Sequence, residues 1–162
     1  MRTSRTIIIG NSGSGKSWLA ERIARRHDAP WIDLDRIHWQ ADGYNLPRDR
    51  DQAMALTKTA AAGDAWVIEG IYGWLVEQIT ARADGLIWLC TDEQECVANI
   101  RRRGKRNGAT AAGFEALLSW SSTYRSREGS SSFTAHQRLF DTFTATKICL
   151  RDREEITRFA GE

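Results

Sequence analysis

The stretch Gly10-Asn11-Ser12-Gly13-Ser14-Gly15-Lys16-Ser17 decides the fold of this chain. It follows the apolar run Thr6–Ile9 and precedes a segment, beginning at Trp18, whose composition is typical of a helix. The pattern is a glycine, four residues and then Gly-Lys-Ser, in which the glycines let several backbone N–H groups turn inward around a polyphosphate. We therefore predict a phosphate-binding loop, hereafter the phosphate loop, between a strand and a helix.

The residue types in the phosphate loop indicate distinct roles. Lys16 is expected to contact the β- and γ-phosphates, and the Ser17 hydroxyl to bind Mg²⁺. The partly positive N-terminus of the following helix would face the anion. The residues predicted to contact the nucleotide are Gly10, Asn11, Ser12, Gly13, Ser14, Gly15, Lys16, Ser17 and Trp18.

Length and composition are those of an ordinary soluble globular protein. The 162 residues suit one domain over 1–162, and 41% are hydrophobic and 27% charged. No apolar run approaches the ~18 residues of a membrane span. Residues 1–5 lead into a short strand-like run rather than a signal-peptide core, so we expect a cytoplasmic protein without a membrane partner.

Three cysteines, at positions 90, 96 and 149, form an odd count without a Cys-x-x-Cys pair. This pattern argues against a disulfide framework and against a zinc site, so reduced thiols are expected. The net charge of +2 is too small to indicate a nucleic-acid partner by itself.

Apolar runs that alternate with helix-like segments predict an α/β fold around a parallel sheet. Trp31, Trp66 and Trp88 fall in or beside predicted strands and are expected to pack in the core. The predicted strands are residues 5–9, 30–35, 65–69, 85–90 and 146–150, and the predicted helices cover about 16–27, 48–62, 73–83, 92–103 and 134–142, with a last one from about 152.

Carboxylates follow two of these strands, where parallel sheets gather their ligands. Asp33 and Asp35 are two residues apart and are predicted to project from one face of a strand end. Asp33 and Glu69 are the predicted metal ligands beside Ser17, and Asp35 is predicted to orient the acceptor or accept its proton. The alternatives are a turn cap or ion pair for the aspartates and a salt bridge for Glu69.

His38 and Trp39 follow these aspartates and are predicted to bind the acceptor, with an indole to stack on a ring and an imidazole to donate. Arg48 is predicted on the same side, and Arg36 and Arg50 are further candidates. Core packing of Trp39 and solvent exposure of the arginines are the alternatives.

A basic cluster at 101–106 precedes a looser segment, 104–132, that we predict to be a mobile helical excursion. Arg102 and Arg106 are predicted to neutralise charge on the transferring phosphoryl group, and Arg101 to contact the nucleotide. Complementarity to the helix dipole would also place arginines here. Tyr124, Arg125 and Arg127 are further candidates in the excursion.

The chain resembles the small P-loop kinases of the adenylate kinase and shikimate kinase type, and most of all the adenylate-kinase-like group called DNA topology modulation proteins. The phosphate loop, Ile32–Asp35 with His38 and Trp39, Trp66–Gly70 with Tyr72, Ala83–Leu89 and the basic cluster carry the resemblance. It implies a three-layer fold with five parallel strands in the order 2-3-1-4-5, helices on both faces and an ATP·Mg²⁺ site. It also implies an acceptor-binding excursion at about 36–63, a closing lid at about 104–132, and Tyr72 on the acceptor side.

Three departures from the pattern of this group bear on the acceptor. Ile71 stands where the group tends to have asparagine, and Glu69 replaces its usual aspartate. The Asp-Gly-Phe-Pro-Arg segment with which adenylate kinases hold the acceptor phosphate is absent. The spacing of Asp33 and Asp35 is closer to that of kinases with a hydroxyl-bearing small molecule as acceptor.

The sequence favours an ATP-dependent phosphotransferase that acts on a hydroxyl or phosphate acceptor of a nucleotide, nucleoside or other small molecule. The alternative is a nucleotide-dependent regulatory or nucleic-acid-associated protein with little kinase activity. Neither hypothesis decides between a monomer and a homodimer.

Overall fold

The computed structural model describes residues 3–40, 43–105 and 109–161. In chain order the elements are β1 (Arg5–Gly10), α1 (Lys16–His27), β2 (Trp31–Asp33), α2 (Asp35–His38), β3 (Trp39–Gln40), β4 (Gly43–Pro47), α3 (Arg50–Ala60), β5 (Trp66–Gly70), α4 (Gly73–Val76), a 3-10 turn (Thr80–Arg82), β6 (Gly85–Leu89), α5 (Glu93–Arg103), α6 (Ala111–Ser121), α7 (Phe133–Thr142), β7 (Thr146–Leu150) and α8 (Arg153–Ala160).

Five strands form one parallel sheet in the order β2-β5-β1-β6-β7. Counted among the five predicted strands, this is the order 2-3-1-4-5, so the predicted α/β fold class and strand order are confirmed. β3 and β4 form a separate antiparallel pair within the stretch that follows β2.

The alternation of side chains along β1 explains why both faces of the sheet are covered. Ile7 and Ile9 belong to one core cluster, which includes Trp66 from β5. Ile8 points to the other face and packs in a second cluster with Leu19 of α1. A strand that is apolar at every position is therefore buried on both sides, as in other parallel sheets.

The second predicted strand is shorter than expected. It ends at Asp33, and Asp35 is the first residue of α2, so the prediction that both aspartates project from one strand face is wrong. The Asp33 side chain turns the chain, because its Oδ1 accepts a hydrogen bond from the Asp35 backbone N–H at 2.8 Å. The prediction that Trp31 packs in the core is also wrong. Trp31 is 41% exposed, since β2 is an edge strand.

The helix predictions differ in accuracy. The helix expected over 73–83 is a single turn, Gly73–Val76, with a separate 3-10 turn at Thr80–Arg82. Asp92 is the N-cap of α5, and its Oδ1 accepts a hydrogen bond from the Gln94 N–H at 2.8 Å. Within the described residues, no helix is both long and apolar enough to cross a bilayer.

Candidate active site

The phosphate loop adopts a backbone that only glycine permits at its key positions. Gly13 has φ +80°, and a Cβ there would overlap the Cys96 carbonyl oxygen and lie 2.9 Å from Ile100 Cγ1. Gly15 has φ +96° but faces open space, with no heavy atom within 4 Å of an added Cβ. The loop therefore packs tightly on α5 on one side and leaves room for a ligand on the other.

The helix that follows the loop begins without a side-chain cap. α1 starts after Gly15 with no side-chain hydrogen bond to its first turn, whereas Asp49 and Asp92 cap α3 and α5. The first N–H groups of a helix have no partner within the helix. The start of α1 can therefore satisfy these donors with an anion, as phosphate loops do.

Lys16 lies inside the loop rather than in solvent. It is buried, and its Nζ donates a hydrogen bond to the Asn11 carbonyl oxygen at 2.9 Å. Its charge is close enough to lower the pKa of Glu69, opposing the larger effect of burial on that group. The ammonium group thus stands between the phosphate loop and the carboxylates of the neighbouring strands.

The three predicted metal ligands come together beside Lys16. The Ser17 Oγ donates to Glu69 Oε1 at 2.6 Å, and Asp33 lies opposite Glu69 in the register of β2 and β5. Glu69 is 2% exposed, and its pKa is raised to about 7. Burial is the main cause, the charge of Lys16 opposes it, and the charge of Asp33 adds to it.

Asp35 and Tyr72 form a second pair of the site. The Tyr72 hydroxyl donates to Asp35 Oδ1 at 2.7 Å. Burial, followed by the charge of Asp35, raises the pKa of Tyr72, so this hydroxyl stays protonated and keeps donating. Asp35 also raises the pKa of Glu69, although it is the weakest of the causes named for that group. Asp35, which is predicted to act on the acceptor substrate, therefore lies close enough to the predicted metal ligands to interact with them electrostatically.

His38 joins this pair through its ring. It stacks on Tyr72 with 4.1 Å between ring centroids and meets Trp39 and Trp74 edge-on at 4.5 and 6.1 Å. Burial lowers the pKa of His38 against the opposing charge of Asp35. Its buried Nδ1 has no hydrogen-bond partner within the described residues, so the imidazole can still bind a polar group.

Arg48 is hydrogen-bonded to the backbone of the predicted acceptor-binding excursion, residues 36–63. Its Nε donates to the Ile37 carbonyl oxygen at 2.9 Å and its Nη2 to that of Trp39 at 3.3 Å. These bonds hold the chain around His38 and Trp39 in place. Arg50 instead lies over the Trp74 ring, with its Cζ 4.5 Å from the centroid.

The predicted arginines at the end of α5 lie at the surface. Arg102 is exposed, and its Nη1 donates at 3.1 Å to Asn99, which in turn donates to the Gly13 carbonyl oxygen at 3.0 Å. Arg101 lines an open cavity of about 800 Å³ together with Arg125. Arg106 lies outside the described residues.

The segment 109–132 contains α6 and is anchored on the phosphate loop. Asn11 Nδ2 donates to the Ser121 carbonyl oxygen at 2.8 Å, and Ser121 Oγ donates to the Ser12 carbonyl oxygen at 3.0 Å. The Arg127 guanidinium lies 3.4 Å over the Trp120 ring. Sequence reasoning missed the contacts of Asn99 and Ser121, because a polar residue 86 or 110 positions from the loop carries no local signal of that contact.

Three solved structures with a similar fold are kinases by name. A shikimate kinase from Acinetobacter baumannii, in complex with shikimate, has a TM-score of 0.61 and 14% identity, over 97% of this chain and 89% of the other. A gluconokinase from Sinorhizobium meliloti has a TM-score of 0.57 and 16% identity, over 99% and 96%. A shikimate kinase from Bacteroides thetaiotaomicron has a TM-score of 0.57 and 17% identity, also over 99% and 96%.

No protein-family model matches the chain, and no curated protein matches it in sequence. Identities of 14–17% show a shared fold and no more. The chain therefore has the α/β fold of the small P-loop kinases, with a five-stranded parallel sheet.

Proposed function

We propose that this protein is an ATP-dependent phosphotransferase that acts on a small molecule with a hydroxyl or phosphate acceptor group. One observation carries the proposal: the Ser17–Glu69 and Asp35–Tyr72 pairs lie at the same edge of the sheet as the phosphate loop. A cradle for phosphate alone would suit many nucleotide-binding proteins. An acid on the acceptor side is what a transfer reaction adds.

The donor side is formed by the phosphate loop, Lys16 and Trp18. The loop amides and the start of α1 hold the phosphates, and the Lys16 ammonium neutralises charge on the group in transfer. Trp18 lies at the start of α1, with the Arg22 guanidinium 3.8 Å over its ring. The open space over Gly15 and the buried Ser14 Oγ, which has no partner within the described residues, both fit a phosphate ligand.

The residues around Ser17 fit a magnesium ion. Ser17, Glu69 and Asp33 supply hydroxyl and carboxylate oxygens, the donors that Mg²⁺ prefers, and phosphate oxygens would complete the set. When bound, the ion would neutralise negative charge on the phosphates.

Asp35 acts on the acceptor in this proposal. Its carboxylate accepts the proton of the acceptor hydroxyl while that oxygen bonds to the γ-phosphorus, and the bond from phosphorus to the β,γ-bridging oxygen breaks to release ADP. Tyr72 holds Asp35 through its hydrogen bond. His38 and Trp39 bind the body of the acceptor, and Arg48 keeps their backbone in place.

Residues 104–132 are proposed to form the lid over the nucleotide, and residues 106–108 among them lie outside the described residues. Arg101 is proposed to contact the nucleotide, and Arg102 and Arg106 to stabilise charge in the transition state. Residues 36–63 are proposed to form the acceptor-binding excursion. The names of two structural neighbours, shikimate kinase and gluconokinase, support small hydroxy compounds as the first acceptors to test.

A coupled ADP-release screen over nucleotides, nucleosides and small hydroxy compounds tests the proposal. At least one compound should raise ADP release well above the background ATPase rate. Lys16→Ala should abolish the increase and weaken ATP binding, because it removes a charge-assisted contact to phosphate. Lys147→Ala removes an exposed lysine on β7, outside the proposed site, and is the matched control. Unchanged ATP affinity of Lys16→Ala in calorimetry would refute the donor site.

A nucleotide-dependent, nucleic-acid-associated role is the second candidate. The resemblance to DNA topology modulation proteins suggests it, and the exposed side chains of residues 101–103 at the end of α5 favour it. Phosphate contacts by such a cluster weaken steeply with salt. A gel shift that persists at moderate salt and depends on ATP would support this role, whereas loss of binding at moderate salt would contradict it.

A further inference from the structure

A buried chain of hydrogen bonds runs behind the candidate site. Trp88 Nε1 lies 3.2 Å from the Tyr124 hydroxyl, which lies 2.6 Å from His136 Nδ1. His136 Nε2 lies 2.9 Å from the Ile71 carbonyl oxygen. Tyr124 and His136 are both fully buried. This chain of hydrogen bonds links β6, segment 109–132, α7 and the loop after β5.

The chemistry of the partners sets the direction of every bond. The Ile71 carbonyl can only accept, so His136 Nε2 carries a proton. Burial lowers the pKa of His136 to about 4, so the ring is neutral near pH 7 and Nδ1 accepts from the Tyr124 hydroxyl. The Trp88 indole can only donate, and it donates to the Tyr124 oxygen. Every polar group of the chain is therefore satisfied in one arrangement.

One end of this hydrogen-bond chain contacts the backbone on the acceptor side of the site. Ile71 immediately precedes Tyr72, whose hydroxyl donates to Asp35. The next residue, Gly73, donates its N–H to the Ser130 carbonyl oxygen at 3.1 Å, and a Cβ at Gly73 would overlap that oxygen. Residues 71–73 are thus held from two sides by the stretch 124–136.

The same stretch adjoins the donor side. Ser121, three residues before Tyr124, is bonded to Asn11 and Ser12 of the phosphate loop. Phe133, at the start of α7, donates its N–H to the Tyr124 carbonyl oxygen at 3.0 Å. One connected piece of structure therefore touches both the phosphate loop and the backbone before Tyr72.

We infer that Tyr124 and His136 are positioning residues for phosphoryl transfer. They hold the backbone at Ile71, and through it Tyr72 and the Asp35 carboxylate, at a set place relative to the phosphate loop. The inference rests on the proposed function, since it is phosphoryl transfer that requires the Asp35 carboxylate to keep a fixed position relative to the phosphate loop. Neither residue acts on the reacting atoms itself.

Amide hydrogen exchange of residues 71–73 tests the inference. Tyr124→Phe keeps the ring but removes the hydroxyl, leaving His136 Nδ1 and Trp88 Nε1 without their partner. Exchange at residues 71–73 should become about tenfold faster, as expected for loss of a buried hydrogen bond from one local unit. Thr6→Val removes another buried hydroxyl, one that lies 2.6 Å from the Thr3 hydroxyl near the start of β1, and should leave this exchange unchanged. Equal effects of the two variants would overturn the inference.

Rescue at His136 separates a specific hydrogen-bonding role from general packing. His136→Gln keeps a donor for Ile71 and an acceptor for Tyr124, so exchange at residues 71–73 should stay near wild type. His136→Leu keeps neither and should resemble Tyr124→Phe. If His136→Leu does not fold, ¹⁵N spectroscopy of the wild-type protein decides: a proton on Nε2 supports the chain, and a proton on Nδ1 overturns it.

Kinetics distinguish this inference from the proposed function. With an acceptor found in the ADP-release screen, Tyr124→Phe should lower turnover about tenfold while ATP affinity changes less than about twofold. Turnover within about twofold of wild type would overturn the positioning role. If the wild-type protein phosphorylates no acceptor, the proposed function fails, and the positioning role fails with it, even where the exchange and ¹⁵N results establish the hydrogen-bonded chain.

Discussion

Burial holds the pKa of His136 at about 4, against an ordinary value of 6.5 for histidine. Between these values the unfolded chain binds a proton at this residue and the folded protein does not. Stability contributed by the neutral imidazole is therefore present above pH 6.5 and is lost as the pH falls toward 4. At about 1.36 kcal/mol per pKa unit, the whole difference is roughly 3 kcal/mol, of which about 2 kcal/mol is lost between pH 7 and pH 5.

His136→Gln removes the titrating group while keeping its hydrogen-bonding capacity. The free energy of unfolding is measured by urea denaturation at pH 7 and at pH 5. Its decrease from pH 7 to pH 5 should be about 2 kcal/mol smaller in His136→Gln than in the wild-type protein. The comparison uses the change in unfolding free energy between the two pH values rather than the free energy itself. Any destabilisation by the substitution that does not depend on pH therefore cancels. The contributions of other titrating groups, including Glu69, are shared by both proteins.

His27→Gln is the matched control, because His27 is exposed at the end of α1 and stays in contact with water in both states. It should leave the wild-type pH dependence in place. An identical loss of stability between pH 7 and pH 5 in the wild-type protein and His136→Gln would refute the reasoning. It would mean that the folded protein takes up a proton at this imidazole as readily as the unfolded chain does, so that burial does not hold Nδ1 as an acceptor at pH 5.

Four further predictions concern the site. Asp35→Asn should leave ATP affinity within about twofold in calorimetry but lower turnover at least about 100-fold, and a parallel loss of both would contradict its acceptor role. Glu69→Gln should weaken Mg²⁺-dependent nucleotide binding while leaving metal-free binding unchanged, which titrations with and without Mg²⁺ can compare. Gly13→Ala should cost at least about 2 kcal/mol in urea denaturation, because the backbone is left-handed and the methyl group overlaps Cys96. The hydrogen bond from Cys149 lowers the pKa of Cys90 to about 7, so its alkylation by iodoacetamide should accelerate as pH rises through 7, whereas buried Cys96, with a pKa raised to about 12, should stay unreactive.

Local patterns predicted most of the fold. The continuous apolar run of β1 identified a strand buried on both faces, and the glycine pattern after it identified the turn into α1. Trp31 was predicted wrongly because its apolar character does not reveal that β2 lies at the sheet edge. Asp35 was misplaced because the Asp33 side chain ends the strand early, and an Asp-x-Asp pattern allows either an extended or a turning backbone.

The phosphate loop and the α/β fold class could be predicted from the sequence alone, because the patterns that indicate them, the glycine spacing and the alternation of apolar runs with helical segments, lie within short stretches of the chain. The partners within the site were decided by tertiary structure. Ser17 meets Glu69 across 52 positions, Tyr72 meets Asp35 across 37, and His136 meets the Ile71 carbonyl across 65. The raised pKa of Glu69 and the lowered pKa of His136 also arise only when packing removes water from groups that are solvated in the unfolded chain.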